Sequence, residues 1–550
     1  MKKQYKPKPV GVHPMLRNMV DIPTKLQQAY DAHRAGDLDK ARPIYEDILR
    51  AQPKHFDALQ FLGAIYADQR QYKSAYILLT KAMELRPDFA QVYGNRSNVL
   101  REVGEFQLAL ADIEKAIELL GDNVDFAIFL NASAVCQGMN DYEQSLTYCD
   151  KAIAVDPSDP RGYINKGNAL TELHKPDEAI EAFTRAIELK EDYRPYNNRA
   201  RLYQDLQQMD LAKADFEKCV ELEPDNGQIR YNQSICTLMS GDWDKGWAEH
   251  EWRWQYQGFR TAKSADITQS WKGEEDLNGK TILLWAEQGL GDTIQFCRYA
   301  KILHDMGATV KLQVQQPLLA LMGSLEGVDR IVVDINESQI AYHYHTPLMT
   351  LPLALKTTQD TVPLADGYLK AIPELSAKWR DKLGEKTRPR VGIVWSGGLR
   401  PDQPELWMVN ARRNTQLHRF DIFKDLDVDF YSLQKGNPGE QELELLQANG
   451  WEGPKIINYA NELTDFTETA ALIDNLDLVI SVDTSTAHLA AAMGKPTWVL
   501  NRFDTCWRWG TEGSTTPWYS SMRLYRQPSF GDWDSVFKNL YEDLAKLAKN

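Results

Sequence analysis

The 550-residue sequence lacks an apolar run of about 20 residues, the length that a membrane-spanning helix requires. Its first residues also lack the apolar segment of a secretory signal peptide. They carry four lysines among the first eight positions, which predicts a disordered basic tail over residues 1–21. We therefore expect a cytoplasmic protein without a membrane span.

Cysteine is scarce, with six residues in the whole chain and no Cys-x-x-Cys pair. This spacing excludes the usual patterns of a disulfide framework or a structural zinc site. Three aspartates alternate at Asp425, Asp427 and Asp429, but they precede a predicted strand as a polar turn. We expect no metal site and no bound cofactor.

Positive charge is also in deficit, because 63 Lys and Arg face 78 Asp and Glu, for a net charge of -15. A nucleic-acid partner is disfavoured, since phosphate neutralisation needs a basic face. The length predicts two or three domains rather than a single core.

The strongest pattern present is a repeat of 33 to 36 residues across the first half. A small residue recurs in each unit, followed three or four positions later in several units by a bulky apolar one, and prolines close several units. This predicts pairs of amphipathic helices that cross closely at the small residue and end at proline. The recurring small residues are Ala41, Ala75, Ala109, Ser145, Ala179, Ala212 and Gly246.

These units resemble the tetratricopeptide repeat over residues 22–256, about seven units. The resemblance implies a superhelix whose concave groove binds an extended peptide. Asparagines recur near the first helix of successive units, including Asn131, Asn165 and Asn198. They are candidate acceptor-binding residues whose amides clamp a peptide backbone; a solvated polar face is the alternative.

Four tryptophans end the array between positions 243 and 254. Their spacing favours docking against the next domain, and an aromatic sugar platform is the alternative.

After residue 271 the helical period gives way to short β-branched runs separated by helical segments. This alternation is typical of parallel sheets covered on both faces. A polar break near 373–390 predicts two doubly wound halves, at 280–380 and 381–550, that follow a connector at 257–279. Strands are predicted at 281–285, 309–314, 330–333, 390–395, 428–433, 455–457, 478–482 and 497–500.

The first strand-end motif contains Gln288, Gly289, Gly291 and Asp292. Its glycines allow close backbone approach to a ligand, and a helix is predicted to begin near Asp292, which points into the cleft. Asp292 is either a functional carboxylate or a helix N-cap.

Two further motifs follow strands of the second half. Ser396 and Gly397 precede Arg413, and Lys435 follows the next strand, so that backbone donors and cations suit a diphosphate. The strand at 478–482 leads into hydroxyl-bearing residues at the start of a helix, which also suits a diphosphate. That motif comprises Asp483, Thr484, Ser485, Thr486 and His488.

Together these motifs resemble the ADP-heptose:lipopolysaccharide heptosyltransferase family (glycosyltransferase family 9) over residues 280–545. The complete order resembles bacterial fusions of repeats with a glycosyltransferase, with a plan similar to the O-linked N-acetylglucosamine transferases. The chain departs from the heptosyltransferases in its repeats and in Ser485, where they usually have glycine. The resemblance implies an all-α tetratricopeptide-repeat superhelix followed by an α/β glycosyltransferase B-type fold of two Rossmann-like halves.

Carried over by position, the resemblance implies that Asp292 is the general base, with His345 in reserve. It implies that residues 483–486 bind the donor, that His488 supports their loop, and that Arg413 or Lys435 neutralises the leaving diphosphate. The expected activity is inverting, metal-independent transfer of a hexose or pentose from a nucleotide diphosphate sugar to a protein held by the repeats, such as flagellin. The alternatives are transfer to a saccharide or lipid-linked glycan, and a non-catalytic scaffold. Oligomeric state stays open.

Overall fold

The computed structural model describes residues 21–256, 269–333, 341–398 and 407–549. Residues 1–20 of the predicted basic tail and residues 257–268 of the predicted connector lie outside these ranges. The chain falls into two compact units, one that ends at Arg199 and one that begins at Ala200.

The helical repeats extend from residue 22 to 255, as the period predicts. The small residues that set the period are buried, and Ala41, Ala75 and Ala109 have no exposed surface. A Cβ atom at Gly63 would lie 2.8 Å from the side chain of Leu79, so the two helices approach too closely for any larger residue. The helices are α1 (Ile22–Arg34), α2 (Leu38–Ala51), α3 (Phe56–Asp68), α4 (Tyr72–Leu85), α5 (Ala90–Glu102), α6 (Phe106–Leu120), α7 (Phe126–Gly138), α8 (Tyr142–Val155), α9 (Pro160–Glu172), α10 (Pro176–Leu189), α11 (Tyr193–Asp205), α12 (Met209–Leu222), α13 (Gly227–Met239) and α14 (Trp243–His250).

The last repeat helices belong to the second unit because they pack on its α/β part. Trp243 stacks on Trp518 with ring centroids 5.1 Å apart, and Trp247 meets Trp507 edge to face at 5.2 Å. The tryptophans at the end of the array therefore dock against the next domain, the favoured interpretation of their spacing.

The described α/β part contains two parallel sheets. One has the strand order β3-β2-β1-β4 and the other β10-β9-β8-β5-β6-β7. The strands are β1 (Thr281–Trp285), β2 (Thr309–Gln313), β3 (Arg330–Val332), β4 (Tyr344–Pro347), β5 (Arg390–Val394), β6 (Asp429–Ser432), β7 (Ile456–Asn458), β8 (Leu478–Val482), β9 (Thr497–Asn501) and β10 (Met522–Arg526).

All eight predicted strands are present, with ends that differ by one residue at most. The sequence pattern missed β4 and β10, each of which lies at one edge of its sheet. Edge strands tolerate polar residues and proline, and β10 carries two arginines while β4 ends in Pro347.

Helices cover the two sheets, as the alternation predicts. The polar stretch between the two strand groups contains α18, whose buried Trp379 donates from its indole N–H to Glu468 on α21 at 2.6 Å. The helices are α15 (Leu290–Phe296), α16 (Tyr299–Asp305), α17 (Leu351–Ala354), α18 (Pro373–Leu383), α19 (Trp407–Arg413), α20 (Gly439–Ala448), α21 (Phe466–Asp474), α22 (Ser485–Ala492) and α23 (Trp533–Leu547).

Candidate functional site

The loop from β8 to α22 gathers the third motif at the carboxyl end of a central strand. Asp483 follows the strand, Thr484 is the N-cap residue of α22, and its hydroxyl lies 2.9 Å from that of Ser481. Two residues hold His488, whose Nδ1 is 2.9 Å from the Tyr519 hydroxyl and whose ring stacks on Trp509 at 5.4 Å. The turn is therefore rigid, and its unpaired helix amides suit an anion.

Burial and charge set the protonation of this loop. Burial lowers the pKa of His488 to about 4, against the opposing effect of Asp483, whose carboxylate lies 3.8 Å from Nε2. The histidine is therefore neutral at pH 7. Burial raises the pKa of Asp483, but nearby charges that include Arg413 and Arg508 outweigh it and lower that pKa overall. Asp483 stays ionised.

The loop after β5 carries the second motif. The side-chain oxygen of Gln434 accepts the backbone N–H of Ser396 at 3.1 Å, and Asn414 accepts that of Gly397 at 2.8 Å. The guanidinium of Arg413 lies against Gly397, where an added Cβ would be 2.1 Å from Nη2. An added Cβ there would displace the guanidinium of Arg413.

Lys435 lies apart from Arg413, although the sequence placed both near the diphosphate. Its ammonium donates to the carbonyl of Ala460 at 2.7 Å, and its side chain is 56% exposed. It lines the cavity next to Gln434 rather than the one that Arg413 lines. Of the two candidates for neutralising the leaving group, Arg413 lines the same cavity as Asp292, and Lys435 does not.

The loop after β1 leads into α15, and Asp292 is the third residue of that helix rather than its N-cap. The N-cap is Gly289, and helix α15 begins at Leu290. Oδ2 of Asp292 accepts the backbone N–H of Gly289 at 2.9 Å, so the carboxylate does satisfy a helix amide. Oδ1 accepts from Nη2 of Arg508 in an ion pair. The carboxylate therefore has both a capping role and a partner in the cleft.

Two adjoining cavities in the second unit bring these loops together. The larger, about 460 Å³, is lined by Gly289, Gly291, Asp292, Gly397, Arg413, Asp483, Thr484, Ser485, His488, Arg502, Cys506 and Arg508, among others. The other, about 350 Å³, is lined by Ser396, Gly397, Gln434, Lys435, Thr484, Ser485, Thr486 and apolar residues that include Leu463 and Phe466. Both have the size of a small-molecule site. The apolar lining of the smaller cavity suits a base, and the charges of the larger suit phosphates.

Sequence reasoning missed two arginines of the larger cavity, Arg502 and Arg508. Arg508 lies between Trp507 and Trp509, in an aromatic-rich segment outside the three strand-end motifs. The arginine between two tryptophans was the available signal, but only the fold brings it to Asp292, 216 positions away.

Gln288 and His345 do not line either cavity. The carbonyl of Gln288 accepts from the side chain of Gln315 at 2.7 Å, which fixes the loop. His345 is buried in β4, where its Nδ1 accepts the indole N–H of Trp285 at 3.3 Å. A role of His345 as a reserve base stays a prediction.

The three repeat asparagines connect first helices of neighbouring units in the first compact unit. Asn131 on α7 donates to the hydroxyl of Ser97 on α5 at 3.2 Å, and Asn165 on α9 to that of Ser133 on α7 at 2.9 Å. Asn198 on α11 donates to Asn168 on α9 at 2.9 Å. Their amides thus join the repeats, and peptide binding by them stays a prediction.

No group of three or more His, Cys, Asp or Glu side chains that could hold a metal ion occurs within the described ranges. Across the same residues, no helix is long and apolar enough to cross a bilayer.

Comparison with known families matches both parts of the chain. Residues 32–99, 90–120, 160–193 and 193–226 match tetratricopeptide repeats. Residues 438–523 match glycosyltransferase family 9 (heptosyltransferase). The chain combines tetratricopeptide repeats with a glycosyltransferase family 9 domain. The family 9 match includes the 483–488 loop and Arg508 but not Asp292.

Among individual proteins, Protein FlbA of Caulobacter vibrioides is 24% identical over 560 residues, covering 96% of this chain and 91% of FlbA. It is a distant homologue over the whole chain. A DnaJ homolog subfamily C member 7 homolog of Schizosaccharomyces pombe is 29% identical over 168 residues, covering 28% of this chain and 35% of that protein. The solved structure of a tetratricopeptide repeat protein from Parabacteroides merdae has a TM-score of 0.36 at 22% identity, covering 42% of this chain and 90% of that one. That similarity is too low to bear on function.

Proposed function

We propose that the protein is an inverting glycosyltransferase that moves a sugar from a nucleoside diphosphate sugar to a hydroxyl group of a protein captured by the repeats. One observation carries the proposal: Asp292 and residues 483–485 of the loop after β8 line the same cavity, from opposite sheets of the second unit. A carboxylate thus faces a site suited to a diphosphate.

In this mechanism the nucleoside occupies the smaller cavity and the diphosphate lies against the N-terminus of α22. Asp292 accepts the proton of the acceptor hydroxyl as its oxygen attacks the anomeric carbon. The bond from that carbon to the diphosphate oxygen breaks, and the electron pair leaves with the nucleoside diphosphate. Arg413, Arg502 and the helix amides stabilise the charge that develops there.

Positive charge from the chain itself supports metal-independent transfer. The larger cavity contains three arginines and two aspartates. The arginines supply the role that a divalent cation has in other transferases, and Asp483 suits the hydroxyl groups of a sugar. Transfer in excess chelator is therefore expected to match transfer with added Mg²⁺.

The acceptor proposal relies on the repeats, since tetratricopeptide repeats bind proteins. Transfer to a saccharide or lipid-linked glycan has no specific observation in its favour.

The test is a screen of UDP-, GDP- and ADP-linked sugars with the purified protein. We expect saturable binding of one donor. We also expect transfer to protein from a cell extract, detected as a mass increase, and an inverted anomeric configuration in the transferred sugar. The matched variant Thr484→Ala should weaken donor binding. A protein that binds none of these donors would contradict the proposal.

A further inference from the structure

Arg508 holds a position that the proposed mechanism does not explain. Its Nη2 pairs with Oδ1 of Asp292, its Nε donates to the side-chain oxygen of Gln295 at 2.7 Å, and its Nη1 donates to the sulfur of Cys506 at 3.2 Å. The guanidinium also lies over the ring of Trp507, 4.3 Å from its centroid. Its side chain is 11% exposed, so this charge is largely shielded from water.

The pair leaves Asp292 poorly suited to act as a base. One carboxylate oxygen accepts from Arg508 and the other from the Gly289 amide. Both oxygens are therefore engaged by donors of the chain itself. An acceptor hydroxyl would have to compete with the guanidinium for the same oxygen.

The same guanidinium faces the site proposed for the diphosphate. Arg508 lines the larger cavity together with Arg413, Thr484 and Ser485. A diphosphate offers several charged oxygens that match the planar fork of arginine. Sulfur is a weak acceptor, so Nη1 can leave Cys506 at little cost, while the bond from Nε to Gln295 keeps the group anchored.

We propose that Arg508 is a switch between base and donor: it pairs with Asp292 in the empty site and transfers its Nη donors to the donor diphosphate when that binds. Asp292 is then released to accept the acceptor proton. The donor therefore binds before the acceptor is activated, which protects the site from unproductive chemistry. This inference rests on the proposed function.

If Asp292 and the diphosphate compete for the Arg508 guanidinium, removal of the Asp292 charge should raise the affinity for a nucleotide, which can be measured without turnover. Wild type is titrated calorimetrically with UDP, GDP and ADP at pH 8, and the tightest ligand is used for all variants. Asp292→Asn removes the competing charge and is expected to tighten binding about fivefold or more. Arg508→Gln is expected to weaken binding at least about tenfold.

The double variant separates the switch from simple removal of a negative charge. If Asp292 acts through Arg508, Asp292→Asn gives no gain in the Arg508→Gln background. In the background of Arg502→Gln the gain should persist, because Arg502 pairs with Asp504 at 3.2 Å instead. A gain that persists in the double variant, or affinity within twofold of wild type for Asp292→Asn, would overturn the inference.

Thermal unfolding of each variant checks that it folds. If Arg508→Gln does not fold, Arg508→Lys takes its place, since a single ammonium cannot form the bidentate contact and should reduce the gain. A wild type that binds none of the three nucleotides would overturn the proposed function and this inference with it. Binding by wild type without a gain in Asp292→Asn would overturn the switch alone.

Discussion

The asparagines of the repeats and the charged residues of the larger cavity are two sets of polar side chains with different surroundings. Asn131, Asn165 and Asn198 each donate to the neighbouring first helix. In the cavity, Asp292, Arg413, Asp483 and Arg508 converge on an open space. The asparagines recur with the repeat period, and most of the cavity residues follow strands. The sequence pattern alone therefore does not tell which group is structural and which is functional.

The difference shows what distinguishes a structural polar residue from a functional one. Neutral amides in the repeats donate to a hydroxyl or amide oxygen of the neighbouring first helix and stabilise the stacking of units. Opposite charges around the cavity face a space that a ligand can enter. Four experiments test this contrast, from the largest expected effect to the smallest.

The substitution Asp292→Asn is expected to reduce the turnover of sugar transfer by about 10²-fold to 10⁴-fold, because the base can no longer accept a proton. Turnover is measured as nucleotide released with acceptor present. Asp305→Asn, at the end of α16, is the control, because its carboxylate is 53% exposed and pairs with Lys301. Turnover of Asp292→Asn above a tenth of wild type would contradict the role.

His488 makes stability depend on pH. Folded His488 stays neutral down to its pKa of about 4, whereas the unfolded residue protonates near 6.5. Between these values the unfolded chain binds the additional proton, so the free energy of unfolding falls as pH falls, by about 3 kcal/mol over the window. Above pH 6.5 the contribution is constant.

Urea unfolding at pH 7 and pH 4.5 checks this dependence. His488→Gln should lose that part of it, while His304→Gln, at a 48% exposed side chain, should keep the dependence of wild type. An unchanged pH dependence in His488→Gln would show that the buried histidine does not set it.

The substitution Arg413→Gln is expected to weaken nucleoside diphosphate binding about 10-fold to 100-fold, through loss of charged hydrogen bonds. Calorimetry at constant salt measures the effect. Arg388→Gln serves as the control, since Arg388 is half exposed and pairs with Asp427. Equal losses in both variants would indicate a general effect of net charge.

The substitution Asn165→Ala is expected to lower the free energy of unfolding by about 1–2 kcal/mol and to leave nucleotide affinity unchanged. It removes the bond to Ser133 that joins two repeats. The exposed Asn123 supplies the control variant Asn123→Ala, with an expected effect within about 0.5 kcal/mol. A loss of nucleotide affinity in Asn165→Ala would break the contrast between the two regions.

Much of the fold and part of the site could be predicted. The repeat period located the helices, and eight strands were placed to within a residue because buried parallel strands form continuous apolar runs. Strands β4 and β10 were missed because polar residues or proline interrupt their apolar pattern, with the sequence Tyr-His-Thr-Pro in β4 and two arginines in β10. Motifs at strand ends identified Asp292, Arg413, Asp483, Thr484, Ser485 and His488, which line the larger cavity, and Thr486, which lines the smaller.

The sequence by itself determined the repeat class, the order of strands along the chain and the residues at strand ends, because these depend on spacings within a few turns or one strand. Tertiary structure alone decided that the last repeat helices pack on the second unit, through Trp243 and Trp518. It also decided that Arg508 meets Asp292, and that Lys435 lines the smaller cavity and not the one that these two residues line. Those contacts join distant parts of the chain, and a local pattern contains no information about which distant charge will reach a given carboxylate.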